Sequence, residues 1–339
     1  MASEDPLFIH GWWRSSSTYL WSKFRDAEGF VALKEPFHEG FRGPQDARLN
    51  FALTNHNEII ALNHPRLEDQ SYFTEYVPLI RRGLPGVSLH DVYRRYAVSS
   101  DADLADLGSY LDRLIDEAGG DGKTPVLVFA RSMGKIGWMA SNFDGKHILL
   151  IRHPASIWKS MMQLTYLEDI DYFFSRTFQV ISHSSHSVYP GTFGIDVPKV
   201  THPDPEKENA FLKSALSSIS PADMYRVFVQ SYTSFILRGL PFVDAVIELD
   251  RPWSSIAAQL KERQLDLGTL EAEELFADLK LDEPPRNNFL DRSTIAGAKE
   301  SFGHIDRLDV DREKVLASLR DFRSDSGFLE VLNQIVGEF

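Results

Sequence analysis

Leu7-Phe8-Ile9-His10-Gly11-Trp12-Trp13-Arg14-Ser15-Ser16-Ser17-Thr18 is the stretch on which the reading of this chain turns. Leu7 to Ile9 predicts a buried strand, Gly11 a tight turn, and Thr18 to Ala27 a helix. A strand that ends in such a turn aims the free N–H groups of the next helix at one point. The helix dipole adds partial positive charge there. Ser15, Ser16, Ser17 and Thr18 supply hydroxyls and Arg14 a charge, which together make a cradle for phosphate or sulfate. The plain alternative is a serine-rich helix cap with no ligand.

The Walker A pattern GxxxxGK[ST] is the natural comparison, and the chain departs from it. Ser16-Ser17-Thr18 stands where Gly-Lys-Thr belongs, so the lysine that reaches the terminal phosphates of ATP is missing. The basic residue has moved upstream to Arg14. The strand read at Val126 to Ala130 ends in Arg131-Ser132 rather than in the aspartate of a magnesium shell. Glu248 and Asp250, after Ala245 to Ile247, are acidic alternatives without a lysine to serve.

A second anion motif lies at Ile148 to Ile151, an apolar run that leads into Arg152-His153-Pro154-Ala155-Ser156-Ile157-Trp158-Lys159-Ser160. Pro154 suits the first helical position, where no N–H is needed. Arg152 then stands at the carboxyl end of a strand, with Ser156 and Ser160 one turn apart on one helix face. Two strand-to-helix anion sites predict a ligand with phosphates at two ends.

On these residues the chain resembles the sulfotransferases that use 3'-phosphoadenosine-5'-phosphosulfate (PAPS). Arg14 to Thr18 is similar to their 5'-phosphosulfate loop, [KR]SG[ST][ST], and Arg152 with Ser160 is similar to the pair that grips the 3'-phosphate. The motifs cover about residues 7 to 165. Ser16 stands where the family has glycine, so a loop that needs a positive φ there places Ser16 under strain. The resemblance implies a three-layer α/β sandwich with a central, mainly parallel sheet, the P-loop-like sulfotransferase fold. It also implies PAPS as donor, 3',5'-bisphosphoadenosine (PAP) as product and no metal.

Phe30 to Leu33 reads as a second strand, followed by Lys34-Glu35-Pro36-Phe37-His38. Many carbohydrate-directed members of the family carry a Glu-Pro here, and Glu35-Pro36 is similar to it. Sulfuryl transfer to an alcohol needs a base within hydrogen-bond reach of the acceptor hydroxyl. Glu35 is the first candidate for that base and His38 the second; a surface pair of Glu35 with Lys34 or Arg42 is the plain alternative. Arg14, with Ser17, Thr18 and the helix N–H groups, is cast as stabilising the charge that grows in transfer. Tyr19 holds the place of an aromatic that stacks on adenine, and Arg131 is a further candidate for the nucleotide cleft. The stretch Arg292 to Lys299 corresponds to a loop that some relatives fold over the 3'-phosphate.

Composition sets the remaining bounds. The 339 residues suit a single α/β domain, residues 1–339, with insertions at about 55–122 and 166–220 as candidate acceptor-binding regions. A net charge of −13 argues against nucleic acid and anionic membrane as general partners. With no cysteine, disulfides and thiolate catalysis are excluded. No apolar run reaches transmembrane length and Met1 to Pro6 has no signal-peptide pattern, which predicts a cytoplasmic protein. The resemblance implies a small-molecule or carbohydrate hydroxyl acceptor as partner.

Further strands are predicted at Val126 to Ala130, Ile148 to Ile151 and Ala245 to Leu249. Helices are predicted at Ala102 to Ala118, Ala155 to Leu164, Ala222 to Leu237, Trp253 to Lys261 and Arg312 to Phe322. Ser182 to Ser187 with Tyr189-Pro190-Gly191 reads as a mobile lid, and His183, His186 and His202 as ordinary loop histidines rather than metal ligands. Two other function classes stay open at this level: a nucleotide-dependent phosphotransferase and a nucleotide-binding module without catalysis.

Overall fold

The computed structural model describes residues 5–54, 71–120, 122–167, 171–187, 205–250, 288–308, 310–322 and 327–336. Five strands form one sheet: β1 (Leu7–His10), β2 (Phe30–Lys34), β3 (Thr124–Phe129), β4 (Lys146–Ile151) and β5 (Ala245–Glu248). Their order is β2-β3-β1-β4-β5, and every pair is parallel. Each falls where its apolar run predicts, within two residues at either end. All six residues of β3 are buried, as are five of the six in β4. Runs apolar on both faces are what a parallel sheet covered by helices demands.

Helices flank that sheet, and the α/β arrangement is consistent with a three-layer sandwich. Helix α1 (Ser17–Asp26) turns Leu20, Trp21 and Phe24 inward. After α2 (Gln45–Thr54) and α3 (Tyr76–Arg81), α4 (Ala105–Ala118) buries Leu107, Tyr110, Leu111, Leu114 and Ala118, one stripe at helical spacing. It starts later than the predicted Ala102, because Asp103 Oδ1 accepts the Ala105 N–H at 3.2 Å and ends the preceding loop. Helices α5 (Ile136–Asn142), α6 (Pro154–Leu167), α7 (Tyr172–Ser187) and α8 (Pro205–Leu216) follow.

Helix α9 (Pro221–Gly239) is buried continuously from Val227 to Gly239, and Ser220 caps its start by accepting the Asp223 N–H at 3.1 Å. Three helices close the described chain: α10 (Asn288–Gly303), α11 (Arg312–Asp321) and α12 (Gly327–Val336).

Two expected loops are helical. Residues 182–187 belong to α7, where Ser182, His183 and Ser184 are buried and His183 Nε2 meets Glu208 Oε1 at 2.7 Å. A serine- and histidine-rich run has weak helix propensity, but the packing of Phe178, Val180 and Ile181 carries the helix through it. Arg292 to Lys299 likewise lies inside α10, with Thr294 Oγ1 and Tyr225 OH of α9 hydrogen-bonded at 2.7 Å. The predicted helix Trp253 to Lys261, Tyr189 to Gly191 and His202 lie outside the described residues.

Strand order fixes where a ligand crevice opens. The chain leaves β1 toward β2 on one side and leaves β4 toward β5 on the other. Connections diverging from neighbouring strands open a crevice at their carboxyl ends. The loops at those ends are residues 11–16 and 152–153, the two predicted anion motifs.

Candidate functional site at the carboxyl edge of the sheet

The loop after β1 is held from below. Gly11 N–H donates to Phe129 O at 2.9 Å, extending the pairing with β3 by one residue. A side chain at Gly11 would come within 2.5 Å of Ser15 Oγ, which is itself tied to the Trp12 carbonyl at 2.6 Å. Trp12 and Trp13 are buried beneath the turn, edge to face at 5.3 Å. Arg14 and Ser16 then adopt left-handed backbone conformations, with φ of 65° and 61°. Ser16 therefore takes a left-handed conformation that glycine adopts freely, a strain on the order of 1 kcal/mol or more.

Ser16 is the N-cap of α1, yet its side chain makes no capping hydrogen bond, and the first turn holds no acidic residue. The positive end of α1 is left for another anion. Ser17 and Thr18 are nearly buried in that first turn, and the partly buried Tyr19 has the Lys23 ammonium over its ring at 5.4 Å.

Both anion motifs meet at Arg14. Its Nε donates to Ser160 Oγ of α6 at 2.9 Å, and its carbonyl accepts from Arg152 Nη1 at 3.1 Å. The guanidinium stands over Phe173 at 5.3 Å. Burial and the neighbouring Arg152 charge lower the Arg14 pKa to about 10, so it remains cationic at neutral pH. Two arginines this close repel each other, and an anion between them relieves the repulsion.

The start of α6 differs from that of α1. Asp250, just past β5, sends its carboxylate to the His153 N–H and within 3.4 Å of Ser156 Oγ, with Arg152 Nε 3.9 Å away. Burial raises its pKa, while these donors pull the other way. Tyr232 OH holds Arg152 through both backbone groups, accepting its N–H at 3.1 Å and donating to its C=O at 3.0 Å. The other acidic residue here, Glu248, caps α12 by accepting the Phe328 and Leu329 N–H groups. Both acidic residues serve helix ends.

Glu35 follows β2 with φ of 49°. Arg14, Ser16 and Glu35 are the three non-glycine residues with positive φ among the described residues, and all lie at this edge of the sheet. Glu35 is 6% exposed and pairs through Oε2 with Arg131 Nη1, not with Lys34 or Arg42. Arg131, 2% exposed, does not reach into an open cleft. Its Nη2 donates to Glu39 Oε2 at 2.8 Å and to Tyr172 OH at 2.5 Å, and its Nε to Tyr93 OH at 3.2 Å. Glu39 also accepts from Tyr93 OH at 2.7 Å and Tyr172 OH at 2.5 Å, with Arg176 Nε at 3.5 Å. Tyr93 comes from a single turn of π-helix, His90–Arg94.

This environment drives two neighbouring carboxylates apart. Burial raises the Glu35 pKa, against the opposing charges of Arg131 and Lys34. Burial also acts to raise Glu39, but Arg131, His38 and Arg176 outweigh it and hold Glu39 well below the usual carboxylate range. Glu39 is thus the more firmly ionised of the two, and Glu35 the more readily protonated. His38 has a different role, in the turn that follows. Its Nδ1 accepts the Gly40 N–H at 3.0 Å and its ring stacks on Phe51. Burial lowers its pKa to about 3. A nitrogen committed to a backbone N–H is a poor general base.

Sequence reading missed Glu39, Tyr93, Tyr172 and Arg176. The one available signal was Glu39 a single turn beyond Glu35; the other three arrive from elements distant in the chain. Among the described residues no group of three His, Asp or Glu side chains is arranged to hold a metal ion, and no helix is long and apolar enough to cross a membrane. No protein-family model, curated protein or solved structure matches this chain.

Proposed function

We propose that the protein is a sulfotransferase that moves the sulfuryl group of PAPS to a hydroxyl of a carbohydrate or small natural-product acceptor. The observation that carries this reading is the convergence on Arg14. The loop similar to a 5'-phosphosulfate site and the Arg152–Ser160 pair similar to a 3'-phosphate site touch one another through one arginine. A ligand with anionic groups at both ends suits that geometry better than a nucleoside triphosphate, since the Walker lysine is absent. The P-loop-like sulfotransferase fold, read here from the motifs and the parallel sheet, belongs to the same proposal.

The reaction is an in-line displacement. Glu35 accepts the proton of the acceptor hydroxyl, the acceptor oxygen bonds to sulfur, and the bond from sulfur to the 5'-phosphate oxygen breaks. Its electron pair leaves with PAP. Arg14, the Ser17 and Thr18 hydroxyls and the N–H groups of α1 stabilise the charge that grows on the leaving phosphate and the sulfuryl oxygens. Arg131 pins one carboxylate oxygen of Glu35, which leaves the other to receive the proton.

The test is to incubate the protein with PAPS and a panel of sugar and alcohol acceptors and to follow PAP release by chromatography. Acceptor-dependent release is expected, falling by about 100- to 10,000-fold in Glu35→Gln while PAP affinity is kept. Undiminished release by Glu35→Gln removes Glu35 from the chemistry. Phosphoryl transfer from ATP in place of sulfuryl transfer overturns the assignment.

A further inference from the structure

The first turn of α7 touches both halves of the site. Phe173, 8% exposed, lies against the guanidinium of Arg14 at 5.3 Å, on the donor side. Tyr172, its neighbour, serves the acceptor side. Its hydroxyl donates to Glu39 Oε1 and accepts from Arg131 Nη2, both at 2.5 Å. One turn on, the Arg176 guanidinium stands over two rings, 5.1 Å from the centre of Tyr93 and 5.4 Å from that of Tyr172. Residues four apart share a helix face and adjacent residues do not, so Tyr172 and Arg176 form one face of the turn and Phe173 another.

This turn is seated firmly enough to pass a displacement on. Ser175 N–H donates to Asp171 O at 2.9 Å at its start, and Phe174 packs edge to face on Trp158 of α6 at 6.0 Å. The same helix α6 carries Ser160, which accepts from Arg14 Nε at 2.9 Å. Arg14 is thus held along one edge by α6 and on one face by α7. An anion at Arg14 engages the outer N–H groups in the plane of the guanidinium and draws its charge away from the ring face. Phe173 cannot keep its contact unchanged when that happens. At the far end of these contacts, Tyr93 belongs to the π-helical turn His90–Arg94, closed by Arg95 N–H to His90 O at 2.8 Å. Such single turns are frequent at functional sites.

We infer that the first turn of α7 links the two halves of the site: an anion bound at Arg14 shifts Phe173, and through Tyr172 and Arg176 the shift reaches Glu39, Arg131 and the π turn that carries Tyr93. The choice of anion rests on the donor reading above. The link has a use. Glu35 is held by Arg131, so the placing of the proposed base follows whether the donor is bound.

The experiment is hydrogen–deuterium exchange of the full chain with and without saturating PAP, read by mass spectrometry in peptides covering residues 11–18, 172–176 and 88–96. Slower exchange is expected in all three, at 88–96 by about fivefold or more, the lower end of ordinary coupling between sites. Phe173→Ala still binds PAP through Arg14 and Arg152, and the slowing at 88–96 is lost. Tyr172→Phe, which keeps a ring on Arg14 at position 173, retains the slowing at 11–18 and loses most of that at 88–96; it carries the test if the alanine variant fails to fold. Slowing in the wild type that does not reach 88–96 overturns the inference and leaves the donor reading standing, as does undiminished slowing there in either variant. Absence of PAP binding by the wild-type protein overturns both.

Discussion

The junctions after β1 and β4 share a plan, strand to turn to helix at one edge of one parallel sheet, and use it differently. After β1 the backbone is strained at Arg14 and Ser16, and the helix start has neither a capping side chain nor an acidic residue. After β4 the helix opens on Pro154, and the carboxylate of Asp250 already engages the His153 N–H. A helix N-terminus attracts an anion in either case. The β4 junction meets that demand from within the protein, so in the proposed donor site its contribution falls to the Arg152 and Ser160 side chains. The β1 junction carries strain without an internal partner, the mark of a site organised for something external.

The largest effects should separate the two junctions. Arg14→Ala removes a charge that also ties Ser160 to the loop, and PAP affinity should fall roughly 100-fold, about 3 kcal/mol. Arg152→Ala, whose guanidinium already lies near Asp250, should cost nearer tenfold. Equal losses in titration calorimetry break the contrast.

The end of β2 provides a third case, strained like β1 but saturated like β4. Glu39→Gln leaves Arg131 with one carboxylate instead of two, and should destabilise the protein by about 3 kcal/mol at neutral pH. Because folding holds Glu39 below its ordinary value, that stabilisation is full above the usual carboxylate range and is lost as pH falls through the folded value. Denaturant midpoints of wild type and variant should therefore converge in acid. The same change removes a negative charge that raises Glu35, so the acid limb of kcat/KM should move to lower pH. A limb that stays in place assigns the titration to another group.

Smaller effects sharpen the picture. Ser16→Gly relieves a left-handed serine that makes no cap, and should stabilise by about 1 kcal/mol, a rise of about 2 °C in Tm with donor binding kept. A loss of stability would show that the serine side chain holds the loop. Asp250→Asn removes a carboxylate beside Arg152, and should tighten PAP binding by roughly fivefold through relief of like-charge repulsion. Weaker binding would make Asp250 an essential prop of the β4 junction.

Much of this was legible in the chain because it is local. A run such as Val126-Leu127-Val128-Phe129 has one stable home, a strand covered on both faces, and all five strands declare themselves in that way. The positive φ of Ser16 was an expectation too, drawn from the glycine that the similar loops carry at that position. What stayed hidden depends on partners remote in sequence. Nothing near Glu39 announces Tyr172 or Arg176, and nothing near Glu248 announces that it caps a helix 80 residues later. Arg131 read as a ligand for phosphate because an arginine after a strand fits that role. Only the fold brings it two carboxylates. Ser182 to Ser187 read as a loop on composition, and burial overrode propensity.

The most direct test of the central claim is thermal melting with PAP, set against ADP and against ATP with magnesium at matched concentration. A ligand at about 100 times its Kd adds roughly 2.7 kcal/mol, a shift of a few degrees in a chain of this size. A rise selective for PAP is the predicted result. A rise with ATP and magnesium alone, or with none of the three, contradicts the account.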